Sequence, residues 1–179
     1  MNRTAVDAEG SWFEPDELAA LRRKLPIPYV DVVPVRCDVD GSIRQVGLLL
    51  RASGAGSIVR AIVSGRVLIH ESLREAITRH VEKDLGPMAL PRVPVSPVPF
   101  TVAEYFPTPG QSPFADARQH AISLAYIVPV DGECAPQEDA LDLAWYDVDE
   151  LREGSAVYEE MSGGHDVIVR RALAHAGAL

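Results

Sequence analysis

The residues best equipped for chemistry lie between Gly65 and Gly86. Leu73, Ala76, Ile77 and Val81 recur there at helical spacing, so Glu71–Leu85 is predicted to be a helix with one apolar side. Gly86 followed by Pro87 predicts its end. At about 100° per residue, His80, Lys83 and Asp84 share one face about 100° wide, while Glu82 points about 160° away from His80, near Glu71 and Glu75. That face carries one negative charge, one positive charge and one mostly neutral imidazole. His80 and Asp84 stand at i and i+4, close enough to share a transition metal, since imidazole suits Zn, Mn or Fe better than Mg²⁺. The alternative is a surface or packing histidine. Lys83 is either a solvated helix lysine or a direct phosphate contact. Mg²⁺ favours oxygen ligands. Two like charges about 4 Å apart, in an effective dielectric of about 20, repel by about 4 kcal/mol. Lys83 therefore weakens any Mg²⁺ site on this face.

Three further groups carry polar chemistry. Asp116, Arg118 and His120 (DARQH) precede the apolar run at Ala121. Glu138, Asp139 and Asp142 form an acidic patch before Trp145. Glu104 and Tyr105 interrupt an apolar, proline-rich stretch. Each has an ordinary alternative as a polar turn, an exposed loop or a surface pair. Several chemistries are missing. There is no G-x-S-x-G elbow, no His-Glu-x-x-His zinc motif and no phosphate loop, because no Gly-Lys-Ser/Thr follows the SGAGS turn. Cys37 and Cys134 belong to no CxxC pair and read as buried or idle thiols. A net charge of −9 argues against nucleic-acid polymers and anionic membranes as partners. No apolar run reaches the roughly 18 residues of a membrane span, and with no signal-type stretch at the start a reducing cytoplasm is expected.

The elements that must position these residues follow from pattern. Residues 1–13 are expected to be a disordered N-terminus and 14–179 a single domain. A helix is predicted over 14–25, ended by Pro26 and Pro28. Tyr29–Cys37, Gln45–Arg51 and Ser57–Val63 read as strands, with hairpin turns at Asp40-Gly41 and Ser53–Gly56. Residues 87–113 form a proline-rich arm, too apolar to be a free linker. Ala121–Val130 and Ala144–Val148 read as later strands, and Asp166–His175 as the last helix. The order predicts an α+β fold with a mixed sheet.

The central segment resembles the Nudix box. Gly65 and Glu71 are separated by five residues, and Glu71 and Arg79 by seven, as in that motif. Val81, Asp84 and Gly86 fill its aliphatic, last acidic and closing glycine places. Val63-Ser64-Gly65 resembles the usual strand-to-loop entry, and the Trp145 segment resembles the Trp and Glu-Leu after the last strand. His80 and Lys83 stand where the family has two helix glutamates, and Pro87 where it has an aliphatic residue. The resemblance spans about residues 29–175 and implies a Nudix-like α/β/α sandwich.

It also implies roles. Glu71 and Arg79 would form a structural ion pair. Asp84 would be the best remaining metal ligand, with His80 and either Glu138 or Asp142 as helpers in catalysis. Arg66 and Lys83 would contact phosphate. Asp116, Arg118, His120 and Tyr105 would line the substrate pocket. Mg²⁺ or Mn²⁺ would bind weakly. The expected activity is hydrolysis of a nucleoside diphosphate derivative or another small phosphorylated molecule. The alternatives are a catalytically inactive Nudix-fold ligand-binding protein and a non-hydrolytic enzyme using the same pocket. A homodimer follows from family habit alone.

Overall fold

The computed structural model describes residues 13–53, 56–137 and 140–179. Helix α1 (Pro15–Arg22) opens with a capping box between Glu14 and Glu17 and carries Asp16 and Glu17 in its first turn, where acids oppose the helix dipole. It is shorter than the expected 14–25. It buries no residue fully and Leu25 is exposed, so no apolar contact extends it.

Strands β1 (Ile27–Cys37) and β2 (Ile43–Ala52) form an antiparallel hairpin. Its turn falls at Asp40-Gly41 as predicted, where Gly41 takes a φ of 88°. The single strand expected over 57–63 is two strands. β3 (Ile58–Ala61) pairs with β2, and β4 (Val63–Arg66) pairs with β1. Between them, the Ile62 N–H leaves the ladder and donates to His165 Nδ1 at 3.4 Å.

Helix α2 (Leu73–Leu85) begins two residues later than expected. Ser72 caps it: its hydroxyl accepts the Glu75 N–H, and the Glu75 carboxylate accepts the Ser72 N–H. Gly86 ends it with a φ of 92°, a conformation that favours glycine.

The proline-rich arm expected over 87–113 contains a strand that the sequence reading did not predict, β5 (Thr101–Tyr105), paired with β6 (Ala121–Pro129). Before β5 the arm is tied down. Arg92 N–H donates to Pro129 O, and Gly132 N–H donates to Ala89 O. Strand β7 (Ala140–Asp147) is longer than predicted, because it pairs with β2 along nearly its whole length. A 3₁₀ turn (Val148–Leu151), helix α3 (Ala156–Glu159) and helix α4 (His165–His175) complete the described chain.

The strands run β3-β2-β1-β6-β5, with β4 on β1 and β7 on β2. β6 is parallel to β1 and the other named pairings are antiparallel, so the sheet is mixed. Alternation along β1 divides its side chains between two cores. Val30 and Val32 pack with Ile77, Val81 and Leu85 of α2. Val33 and Val35 pack with Ile168, Val169 and Leu173 of α4. The result is the α/β/α sandwich that the resemblance implies.

Candidate functional site

The loop between β4 and α2 is braced by Arg79. Its Nε donates to Glu71 Oε1 at 2.6 Å and its Nη2 to Glu71 Oε2 at 2.8 Å. Nη2 also donates to the backbone carbonyl of Arg66 at 2.9 Å. Glu71 accepts the Leu68 N–H as well. Burial alone would raise the Glu71 pKa, but the Arg79 fork and the Leu68 N–H more than offset it and hold it below the ordinary value.

His80 joins the same carbonyl. Its Nε2 lies 2.9 Å from Arg66 O, and because a carbonyl only accepts, Nε2 carries the proton. His80 is 6% exposed, and burial lowers its pKa. Its Nδ1 is buried with no hydrogen-bond partner. The ring lies flat against the Gly65 backbone: a Cβ at Gly65 would sit 1.8 Å from His80 Cε1. Gly65 is thus required by close approach, and not by a positive φ.

Asp84 lies one turn further along α2 and is 1% exposed. Arg51 Nη2 stands 2.6 Å from Asp84 Oδ2, and Lys83 Nζ stands 3.6 Å from Oδ1. Oδ2 makes no directed hydrogen bond, so the Arg51 contact is an ion pair between misaligned groups. The box face therefore holds one carboxylate with two cations against it. Among the described residues, no group of three or more His, Cys, Asp or Glu side chains gathers to hold a metal ion.

A second polar network lies on the opposite face of the sheet. Asp31 of β1 is completely buried. It accepts hydrogen bonds from Ser64 at 2.6 Å and from the Tyr105 hydroxyl at 2.8 Å. Burial, followed by the adjacent Asp31, drives the Tyr105 pKa strongly upward, so its hydroxyl stays a donor. His165 meets the Tyr105 ring edge-on at 6.5 Å between centroids. Nearby, Gln119 Nε2 donates to the Tyr29 hydroxyl and to Asp116 Oδ2, while its Oε1 accepts from Arg22 Nε at 2.8 Å.

Comparison with known proteins places this geometry. A family model described as Domain of unknown function (DUF4916) matches residues 8–178. The chain belongs to the DUF4916 family. A Jonesia denitrificans structure described as a possible asymmetric diadenosine tetraphosphate hydrolase is 57% identical, with a TM-score of 0.83 over 87% of this chain and 98% of that one. The NUDIX domain of Shewanella oneidensis NrtR, solved with ADP ribose, is 16% identical, with a TM-score of 0.60 over 96% and 97% of the two chains. A Francisella tularensis bifunctional NMN adenylyltransferase/ADP ribose pyrophosphatase, complexed with AMP and a Mn ion, is 16% identical with a TM-score of 0.58. It is aligned over 90% of this chain and 47% of that one. No curated protein matches the sequence. The fold of this DUF4916 member is the Nudix fold, with the box in its expected place.

Within this DUF4916 chain, the residues singled out from sequence fall into two groups. His80, Lys83 and Asp84 lie on the α2 side, with the Gly65, Glu71, Arg79 and Gly86 framework around them. Arg66, Tyr105, Asp116 and Arg118 belong to the other side, around Tyr29 and Asp31. His120 stacks on Phe106 at 4.6 Å and gives its carbonyl to Ile27 N–H. Asp142 is separated from Asp84. It pairs with Leu50 in the β2–β7 ladder, while its neighbours Leu143 and Trp145 pack on the α2 side, so its own side chain faces the other way. Glu138 lies outside the described residues. Sequence reasoning missed Arg51, Asp31, Ser64 and Gln119. Asp31 left one legible sign: it is the sole charged residue among the apolar residues of Tyr29–Val35.

Proposed function

We propose that this protein binds a nucleoside diphosphate derivative, or a similar small phosphorylated molecule, and contacts its phosphate directly through Lys83 and Arg51. One observation carries the reading: the last box carboxylate, Asp84, has Arg51 Nη2 at 2.6 Å and Lys83 Nζ at 3.6 Å. A Nudix metal needs several oxygens and negative charge at this place. Here the donor set is one carboxylate already neutralised and one imidazole. The imidazole Nε2 donates to Arg66 O, and its unpartnered Nδ1 is buried in the ring packed against the Gly65 backbone. That is one nitrogen and no free carboxylate. These residues do not fit Mg²⁺ or Mn²⁺ held in the family's manner. Two cations beside one anion fit an incoming phosphate, since guanidinium and ammonium groups bind its oxygens directly. The ligand class draws support from the NrtR domain, which shares the fold and was solved with ADP ribose.

The rival reading is a hydrolase whose metal is held by the acidic loop before β7. The Gln137 N–H donates to Asp84 O at 3.3 Å, which brings the chain leading into that loop against the end of α2. A single screen separates the two. ADP-ribose, diadenosine tetraphosphate and nucleoside triphosphates are offered with and without Mg²⁺ or Mn²⁺, and both melting temperature and products are recorded. Stabilisation by a ligand without metal and without turnover supports the binding reading. Metal-dependent turnover overturns it in favour of the hydrolase.

A further inference from the structure

The Asp84 carboxylate is buried between two cations, yet no donor is aimed at it. Arg51 Nη2 lies 2.6 Å from Oδ2 without making a directed hydrogen bond. Lys83 Nζ stands 3.6 Å from Oδ1, beyond hydrogen-bond reach. A buried carboxylate ordinarily offsets its lost hydration through directed bonds to its oxygens. Asp84 has the neighbouring charges and none of those bonds. Arg51 is no better matched, because its Nε is buried and has no acceptor. The pair is held by charge and not by fit.

Burial within the cluster is unequal. The Asp84 side chain is 2% exposed, against 25% for Arg51 and 32% for Lys83. Solvent therefore reaches the cations and not the carboxylate, and an arriving anion meets the cations first. Arg51 also stands at an irregular step near the end of β2. Leu50 pairs with Asp142 but Arg51 pairs with Ala140, so Leu141 is skipped. Such bulges re-aim side chains. A phosphate suits Arg51 better than Asp84 does. Nε and Nη2 of a guanidinium fork onto two oxygens of one phosphate, and these are the two Arg51 atoms that Asp84 leaves without a directed bond.

We propose that Asp84 is a placeholder for the ligand's phosphate: it holds Arg51 until a phosphate group takes the guanidinium from it, and Lys83 then remains as its counter-ion. The inference rests on Arg51 and Lys83 being the phosphate contacts, and it adds that the surviving box acid opposes binding instead of assisting it. The test is calorimetric titration of inorganic phosphate into the full chain at constant ionic strength. Asp84→Asn removes the competitor and should bind phosphate about five- to tenfold more tightly than wild type. In an Arg51→Gln background the same substitution should change the affinity little. A gain of equal size in that background is a general field effect and overturns the placeholder. An Asp84→Asn affinity equal to or weaker than wild type also overturns it, while leaving phosphate binding at the box face standing. Binding by Asp84→Asn but not by wild type supports it. No binding by either protein overturns both readings. Asp84→Asn strands two cations and can cost folding, so the wild type supplies a second readout. The Arg51 Nε–Hε signal and the Asp84 carboxyl carbon, followed by NMR, should move together along one saturable phosphate curve. Phosphate binding that leaves either signal in place overturns the placeholder.

Discussion

Replacing Arg51 with Ala should both destabilise this protein and give it a response to Mg²⁺. Arg51 Nη2 lies 2.6 Å from Asp84 Oδ2, and the Asp84 side chain is 2% exposed against 25% for Arg51. Removing one partner of a fully buried pair typically costs roughly 3–5 kcal/mol, because the remaining charge is left without compensation. Arg51 is partly solvated, and Lys83 stays 3.6 Å from the other oxygen. We therefore expect about half of that, or about 2 kcal/mol. For a domain of this size that lowers the melting temperature by about 4–8 °C. The exposed carboxylate then becomes available to a divalent cation. With a Kd of about 1 mM, Mg²⁺ at about 10 mM returns about 1.4 kcal/mol, or about 3–5 °C. Scanning calorimetry at neutral pH, with and without Mg²⁺, measures both effects, and Arg51→Ala combined with Asp84→Asn should lose the Mg²⁺ response. Wild-type protein stabilised by Mg²⁺ as strongly as Arg51→Ala would refute the reasoning, as would a variant that melts within about 1 °C of wild type.

Arg79→Ala should lower stability by about 2–4 kcal/mol in urea titrations, since it strands Glu71 and removes a donor from Arg66 O. Because the folded Glu71 pKa lies below its unfolded value, the stability it contributes is present above pH 4.5 and is lost as pH falls through the folded pKa. Arg79→Ala should flatten that part of the acid limb. Gly65→Ala should cost roughly 1–3 kcal/mol or more, because the new methyl overlaps the His80 ring. His80→Ala in the same chain should recover part of the loss, so additivity within about 0.5 kcal/mol in thermal melts would show that the ring is not the obstacle. Burial holds the folded pKa of His80 below the ordinary 6.5, so unfolding takes up a proton, and stability should decline as pH drops below 6.5. His80→Gln should reduce that slope in urea midpoints measured between pH 8 and 5.5. An unchanged slope would assign it to His165, whose pKa is also lowered by burial.

The box helix and its bracing pair were legible in the sequence because their determinants are local. Leu73, Ile77 and Val81 set the buried stripe, Gly86 sets the stop, and Glu71 and Arg79 are eight residues apart. What decides the chemistry of the box was not legible. The partner of Asp84 comes from the end of β2, far away in sequence, and only the pairing of β2 with β1 and β7 brings it over α2. The same holds for Asp31, whose two donors arrive from β4 and β5. Strand β5 itself was hidden by the prolines before it. The break at Ile62 was hidden because its N–H is satisfied by a histidine more than 100 residues later.

The arm before β5 bears on how the molecule behaves at high concentration. Val95 and Val98 are almost fully exposed, and Val102 on the neighbouring edge strand is about half exposed. An extended apolar segment beside a sheet edge would ordinarily template pairing with a second chain and seed aggregation. Here Pro91, Pro94, Pro97 and Pro99 remove four backbone donors from that stretch. Without those N–H groups the arm cannot serve as a strand in another molecule's sheet, so its valines meet solvent without turning the edge into a nucleus for fibres.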